Sequence, residues 1–520
     1  MGRVLTNNVG LAVCIESSLA VAGTTWFTLQ PNTIGAFGAQ ITTRARRPIS
    51  PNRGRKKGAV VDLDSTVEYE ADLTIDQFAL FAEAFFFAEY QNLEFDMKDS
   101  GAPPTPTGTG YTIDAASALL AGKVQWVTAE HSTLVYGKGY ATAANNGVKA
   151  ITADLATSGT EITVSGLTAE ASPPANASLQ VCGVRGVDII VDIQANGTGY
   201  IESADISDWA TLGIFIGMNL HIGGVDTDNT VANAPTVTTT RYGYVRVTGF
   251  DVANDRVTFD KATSTLTTGG AGTSSAETVD ILFGRMVRNV ATTANSDDTR
   301  YLERSLQFEA TYPGLGSGGA TRYEYAVGNF ASEMNLNLAL TDLATVGFTF
   351  VGTNSDDITG TRKTGASSAT SPLREVAFGT SADLVSVTTD VVSTASDICF
   401  KSLTLAVLNN VSPEKCLGTL GATFMNAGLF EVNLEGQMAF VDEAIINAIK
   451  NNTTVTFSAV LRNSDGALAF DLPEMTLGGG GRDFPVDETV LVNLTGETFT
   501  SSTFGHDAAV SILPVVPLAA

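Results

Sequence analysis

Residues 44–85 read RARRPISPNRGRKKGAVVDLDSTVEYEADLTIDQFALFAEAF, and residues 408–450 read LNNVSPEKCLGTLGATFMNAGLFEVNLEGQMAFVDEAIINAIK. In the first stretch Val67, Tyr69 and Ala71 alternate with Glu68, Glu70 and Asp72, the period of two that predicts a half-buried strand. The period then changes. Phe78, Phe81, Phe85 and Phe86 recur at spacings of three and four, which predicts a helix with one broad aromatic face. Thr74 is the expected N-cap of that helix, and Gln77 three residues on completes a capping-box arrangement. Aligning Ile49-Ser50-Pro51 with Val411-Ser412-Pro413 repeats the order: Phe430, Val432 and Leu434 alternate, then Phe440, Ala444, Ile445 and Ile449 take helical spacing. One difference separates the copies. The first opens on Arg44, Arg46, Arg47, Arg53, Arg55, Lys56 and Lys57, seven of the thirty basic residues, whereas from Pro413 to Gly421 only Lys415 is basic.

Working outward, the second helix is followed at once by strand patterns: Val455, Phe457, Ala459 and Leu461 alternate, then ALAFDLP, then Val490, Val492 and Leu494. After the first helix the matching strands are delayed by some two hundred residues. They arrive as YLERSLQFEATY, EYAVGNFASEMNLNLAL and TVGFTFVG, where Leu336, Leu338 and Leu340 alternate, as do Phe348 and Phe350. The first copy is therefore read as split by an insertion. The insertion repeats itself, since NNGVKAITADLATSGTEITVSG from Asn145 resembles RYGYVRVTGFDVANDRVTFDKA from Arg241. Two small all-β modules are expected, at 100–197 and 198–290. The stretch NSDDITGTRKTGASSATSP from Asn354 lacks periodicity and is the expected linker, 354–373.

A chain of 520 residues exceeds what one hydrophobic core organises, so several domains are expected. With 44% hydrophobic and 16% charged residues it has ordinary globular composition. A formal net charge of -25 makes most of the surface repel nucleic acid and phospholipid headgroups. No segment approaches the roughly 18 to 20 apolar residues of a membrane span, and the N-terminus lacks a signal-peptide core. Cytosolic synthesis and no membrane are expected. Cys14, Cys182, Cys399 and Cys416 are scattered without a CxxC, as unpaired thiols in a reducing compartment would be.

Catalytic and metal constellations are sparse. His131, His221 and His506 are far apart, with no HExxH, CxxC or GxSxG beside them, so structural or surface histidines are expected and no metal. Gly478–Gly481 before Arg482 lacks the Lys-Ser or Lys-Thr of a phosphate loop and reads as a strand connection. The DTDN at Asp226–Asn229 lacks the glycine and terminal glutamate of a calcium loop. Glu68 with Glu70, Asp487 with Glu488 and Asp356 with Asp357 read as solvated strand faces and turns. No cofactor and no enzyme activity are expected.

The basic cluster asks for a partner. A nucleic-acid patch, a loop docked onto an acidic face of a neighbouring subunit, and a solvated loop all fit. Missing interleaved aromatics and flanking strands weigh against the first.

In order of features the chain resembles the tail-tube proteins of long-tailed (siphovirus-type) bacteriophages, in the group with two tandem tube-like halves. The resemblance rests on ISPNRGRKKGAVVDLDSTVEYEADLTIDQFALFAEAF, on YLERSLQFEATY with NFASEMNLNLALTDLATVGFTFVG, and on SLTLAVLNNVSP through TVTFSAVLRNSDGALAFDLPEMTL to VLVNLTGETF. It covers roughly residues 20 to 98 and 300 to 500. It implies a mainly β fold of two tail-tube-like β-sandwich or barrel domains, each with a flanking helix: 1–98 plus 300–353, and 374–520. Three chains would form a ring of six similar domains, and rings would stack into a tube that conducts viral DNA without reading its sequence. The long loops bearing the Ser-Pro would reach the next ring, so Arg44, Arg46, Arg47, Arg53, Arg55, Lys56 and Lys57 become inter-ring contact candidates. Other implied partners are the tape measure, tail terminator and distal tail proteins, in a virion tail assembled in the host cytoplasm. The insertion exceeds what the tube fold requires and is expected outside the tube. A surface adhesin of β-modules, or a terminator or distal-tail ring, is the alternative.

Overall fold

Strand pairing accounts for most of the chain, and only two α-helices interrupt it among the described residues. The computed structural model describes residues 4–47, 49, 51, 55–91, 102–113, 131–153, 161–194, 196–223, 243–263, 266, 277–291, 300–389, 399–441, 443–487 and 489–514. Ahead of the first helix run β1 (Gly10–Ile15), β2 (Trp26–Leu29), β3 (Thr33–Arg46) and β4 (Lys56–Asp72); the helix, α1, is Ile75–Phe86. Then come β5 (Thr105–Pro106), β6 (Gly110–Thr112), β7 (His131–Lys138), β8 (Gly147–Ala153), β9 (Glu161–Val164), β10 (Ser178–Ile193), β11 (Gly199–Glu202), β12 (Asn219–Ile222), β13 (Gly243–Asp251), β14 (Arg256–Asp260), β15 (Glu277–Leu282) and β16 (Arg285–Arg288). They are followed by β17 (Leu306–Tyr312), β18 (Arg322–Ala339), β19 (Thr345–Gly352), β20 (Asn354–Ser355) and β21 (Leu384–Thr389). The second copy brings β22 (Phe400–Leu408), β23 (Ser412–Glu414), β24 (Phe424–Asn426), β25 (Glu431–Ala439), α2 (Ala444–Asn451), β26 (Thr454–Asn463), β27 (Gly466–Asp483), β28 (Leu491–Thr498) and β29 (Ala509–Leu513). The fold is mainly antiparallel β, as the sequence predicts. The chain divides into two compact units: residues 1–88, 290–372 and 402–435, and residues 89–289, 373–401 and 436–520.

In the first unit β18 is the hub. Its first half, up to Asn329, pairs with β17 on one side and β20 on the other; from Phe330 onward it pairs with β19 and β22. β19 passes the sheet on to β4, and β4 to β3. The change of partners occurs at Gly328, whose φ is +61° and whose N–H donates to Oε1 of the buried Glu16 at 2.9 Å. A Cβ there would meet Thr353 Oγ1 at 2.3 Å, so the corner requires glycine. The alternation in β4 is as predicted, with Val67, Tyr69 and Ala71 buried and Glu68 and Glu70 exposed. Helix α1 lays Phe81 and Phe85 onto Phe348 and Phe350 of β19, at ring separations of 5.1 to 5.6 Å. That aromatic layer is the core of the unit.

Two local expectations change. The capping box does not form: Thr74 is extended as an N-cap should be, but its side chain accepts no cap hydrogen bond, and Thr74 and Gln77 are both only 5% exposed. Burial of both side chains takes precedence over the exposed geometry in which such a box is worth making. The 354–373 stretch is not a free connection either. β20 pairs with β18, Arg362 Nε donates to Oε1 of the buried Glu309 at 2.8 Å, Trp26 Nε1 donates to Thr364 O at 3.2 Å, and Thr370 bridges to Phe27. It is fastened by polar and backbone bonds, which leave no apolar period to read.

The second unit contains an eleven-stranded sheet in the order β11-β14-β13-β12-β15-β10-β7-β8-β9-β6-β5. Strands from before and after residue 197 share it, because β10 pairs with β7, β11 and β15. The same unit holds β26–β29, and β16 pairs with β29 from Arg285↔Ile512 to Arg288↔Ala509. Arg246 on β13 joins the two groups of strands. Its guanidinium donates to Asp260 at 2.9 and 2.6 Å and to Asp471 on β27 at 3.0 and 3.2 Å. β26 and the first half of β27 are consequently buried on both faces, where alternation alone predicts one buried face.

Two outcomes follow for stability. Gly328→Ala should cost about 1 to 3 kcal/mol in denaturant unfolding, through strain at a positive φ and the Thr353 clash. Arg246→Ala leaves two carboxylates without their cation, one of them fully buried, and should cost about 3 to 5 kcal/mol in the same assay.

Candidate assembly surface

β3 and β4 are 14 and 17 residues long, and only their inner parts belong to the sheet. The partner strand β19 ends at Gly352↔Ser65, so residues 56–64 of β4 pair with β3 alone. A two-stranded hairpin projects beyond that line. A hairpin of this kind is marginally stable by itself in water.

Four of the sequence-derived contact residues, Arg44, Arg46, Lys56 and Lys57, lie on the strands of this projection. Arg44 faces Ala59 and Arg46 faces Lys56 across the pairing, with Lys57 next along β4 and Arg47 and Arg55 at the strand ends. Arg53 lies outside the described residues. All six described cations are exposed, and none makes an ion pair among the described residues. Like charges directly opposite each other, as at Arg46 and Lys56, are destabilising. Ile41, Val60 and Val61 are also about half exposed along the hairpin, at 58%, 49% and 48%. The projection thus presents concentrated positive charge beside apolar side chains, a composition that gains from an acidic and partly apolar partner.

The corresponding stretch of the second copy forms the short β23–β24 ribbon, and its loop returns to β4. Lys415 Nζ lies 2.6 Å from Asp62 Oδ1 and 2.6 Å from Asp64 Oδ1. The bonded Lys415 amine holds the Asp62 carboxyl below the usual carboxylate range. At Gly421, with φ +84°, a Cβ would stand 2.5 Å from Thr353 O and 3.4 Å from Leu63 Cδ2, and Ala422 N–H donates to Thr353 O at 3.3 Å. Sequence reasoning missed this contact. A signal existed, because Leu63 and Ser65 continue the inward alternation upstream of Val67 and leave Asp62 and Asp64 on the opposite face.

Among the described residues the other sequence-derived constellations do not assemble into a site. His131, His221 and His506 are all buried; His131 Nδ1 lies 2.5 Å from Asp205 Oδ2, His221 packs edge-on to Tyr244, and His506 stands beside Phe504. Gly478–Gly481 lie within β27 itself, with a register shift between Gly479 and Gly481. A Cβ at Gly480 would contact Ile446 and Ile449, so the glycines let α2 approach the strand. The 226–229 acidic run lies outside the described residues, as does Glu488. Among the described residues no group of three His, Cys, Asp or Glu is placed to hold a metal, and no helix is long and apolar enough to cross a membrane.

Residues 250–497 match the family model described as phage tail tube protein. That stretch, just under half of the chain, is similar to phage tail tube proteins and supports a phage tail tube protein. The match runs from the end of β13 through β28, so it takes in β14–β16 as well as β17–β27, but not the basic hairpin. No curated protein matches the chain.

Two of the buried histidines, His221 and His506, set a pH dependence. Burial, reinforced by Arg462 near His221 and Arg288 near His506, lowers both to about 3. An unfolded histidine titrates near 6.5, so below that pH the unfolded state holds the extra protons. Stability from these groups is fully present above pH 6.5 and is lost toward pH 3, by about 1.4 kcal/mol per pH unit for each. Denaturant midpoints measured at pH 7 and pH 5 should fall accordingly, and His506→Gln should flatten the slope.

Proposed function

We propose that copies of this chain join into rings, that the rings stack into the hollow tube of a phage tail, and that viral DNA passes through it without sequence-specific contacts. The observation that carries the reading is a repeated topology. With the inserted strands β5–β16 set aside, the strand before the helix in both copies pairs with the third strand after it: β4 with β19 around α1, and β25 with β28 around α2. Two such elements in one chain, with a tail tube family match over 250–497, suit a ring of three chains and six similar walls. Strands that run on to a neighbouring copy also remove the open edges that otherwise invite uncontrolled pairing.

In this reading the hairpin of Arg44, Arg46, Arg47, Arg53, Arg55, Lys56 and Lys57 is the contact between successive rings. All fifty-five acidic residues lie outside residues 44–57, so another copy offers opposite charge. The acidic excess also suits a channel along which DNA slides, since every basic lining residue would add a salt-sensitive phosphate contact. Three domain assignments belong to the same proposal: tube-like domains at 1–98 plus 300–353 and at 374–520, with the insertion outside the tube. Tape measure, terminator and distal tail proteins would meet the tube in a virion tail assembled in the host cytoplasm.

Negative-stain electron microscopy of the purified protein tests the reading. Hollow stacked rings with six lobes and three outer protrusions are expected. Reversing Arg53, Arg55, Lys56 and Lys57 to glutamate should leave single rings and an unchanged unfolding midpoint; tubes of normal length from that variant would remove the hairpin from the inter-ring contact.

A further inference from the structure

The second copy's loop has no basic cluster, yet it is fixed at two points, to the basic hairpin and to Thr353 just beyond β19. Lys415 grips Asp62 and Asp64 at one end, and Gly421–Ala422 rests on Thr353 and Leu63 at the other. Between these points lie Leu417 and Leu420, and β24 follows with Phe424. Leu417 is fully exposed, Leu420 49% exposed and Phe424 58% exposed. A loop pinned at both ends with its large apolar side chains turned to solvent is not packed for its own sake. Burying such side chains is worth about 1.5 to 3 kcal/mol each, and here that gain is left unused.

We propose that the two arms form one composite docking surface: the first hairpin supplies its positive charge, the second loop supplies its apolar half through Leu417, Leu420 and Phe424, and Lys415 sets their relative position. The occupant is a second copy of this chain, because the charge that complements the hairpin is the acidic excess of the chain itself. This rests on the reading of the hairpin as a contact between copies and deepens it. The division of labour explains the asymmetry of the repeat. Charge on one arm steers the encounter, and apolar area on the other holds it, as desolvated side chains dominate the strength of interfaces. Lys415 is a positioning residue; its ion pairs are exposed and contribute little to folding stability.

Sedimentation velocity over a concentration series tests the surface on four full-length proteins: wild type, L417S with L420S, K415E, and R55E with K56E and K57E. Wild type is expected to self-associate, and L417S/L420S to need at least about tenfold more protein for the same association, with its unfolding midpoint unchanged. If L417S/L420S associates like wild type while the charge reversal weakens association, the composite surface is wrong and the hairpin contact stands. If only L417S/L420S weakens it, the apolar surface stands and the hairpin's role fails. A wild type that stays monomeric at every concentration overturns a second copy as the occupant. For Lys415 a separate readout is needed. Spin labels on Cys416 and on V60C, in a C399S background at monomer concentrations, should give a narrow distance distribution that broadens in K415E; equal widths would remove Lys415 from the positioning role.

Discussion

The first unit depends on how one strand shares out its backbone hydrogen bonds. β18 is 18 residues long and has to satisfy both edges along its whole length, and no single pair of neighbours does so. It changes partners at Gly328, with register shifts against β17 between Leu306 and Phe308 and against β19 between Ala331 and Glu333. Asn329 sits at the same corner and donates its side-chain amide to Leu306 O at 3.0 Å. Because β19 continues the sheet to β4, the direction of the projecting hairpin is set by this corner. The basic hairpin inherits its aim from a glycine some 270 positions further along the chain, a span that only sheet pairing of long sequence separation can bridge.

Much of this was legible in the sequence where one period dominates. The alternation at Val67, Tyr69 and Ala71 and the aromatic spacing from Phe78 to Phe86 place β4 and α1 correctly, since burial on one face is what those periods encode. Reading fails where a second influence competes. Phe87 ends α1 in a left-handed conformation, φ 46°, without the glycine that announces such a stop, and its N–H reaches Glu83 O. Residues 457–472 look like half-buried strands until another sheet covers their second face. The 354–373 stretch hides its order because Glu309, its anchor, is a carboxylate some fifty residues away and carries no local pattern.

The candidate surface was legible by composition and not by shape. Seven cations within fourteen residues stand out in an acidic chain, but nothing in their spacing says that Arg46 and Lys56 face each other across a ribbon. In the sequence Lys415 is no more than the one basic residue from Pro413 to Gly421. In the structure it is the fastening of that stretch to Asp62 and Asp64, and a contact between residues some 350 apart leaves no trace in either neighbourhood.

The second unit gathers chain from three separate places, and that has a consequence for biosynthesis. β16 leaves the ribosome at residues 285–288, whereas its strand partner β29 begins at residue 509. At ribosomal rates of about 5 to 20 residues per second, the intervening roughly 220 residues take on the order of 10 to 45 s to appear. Throughout that interval Asp471, the buried counter-ion of Arg246, has also yet to be made or has only just emerged. A nascent chain therefore carries an unfinished edge over that whole interval, with Arg246 able to pair with Asp260 alone until Asp471 is made. Folding of the second unit thereby waits for synthesis through Leu513, and a chain cut short of β29 lacks the strand that pairs with β16.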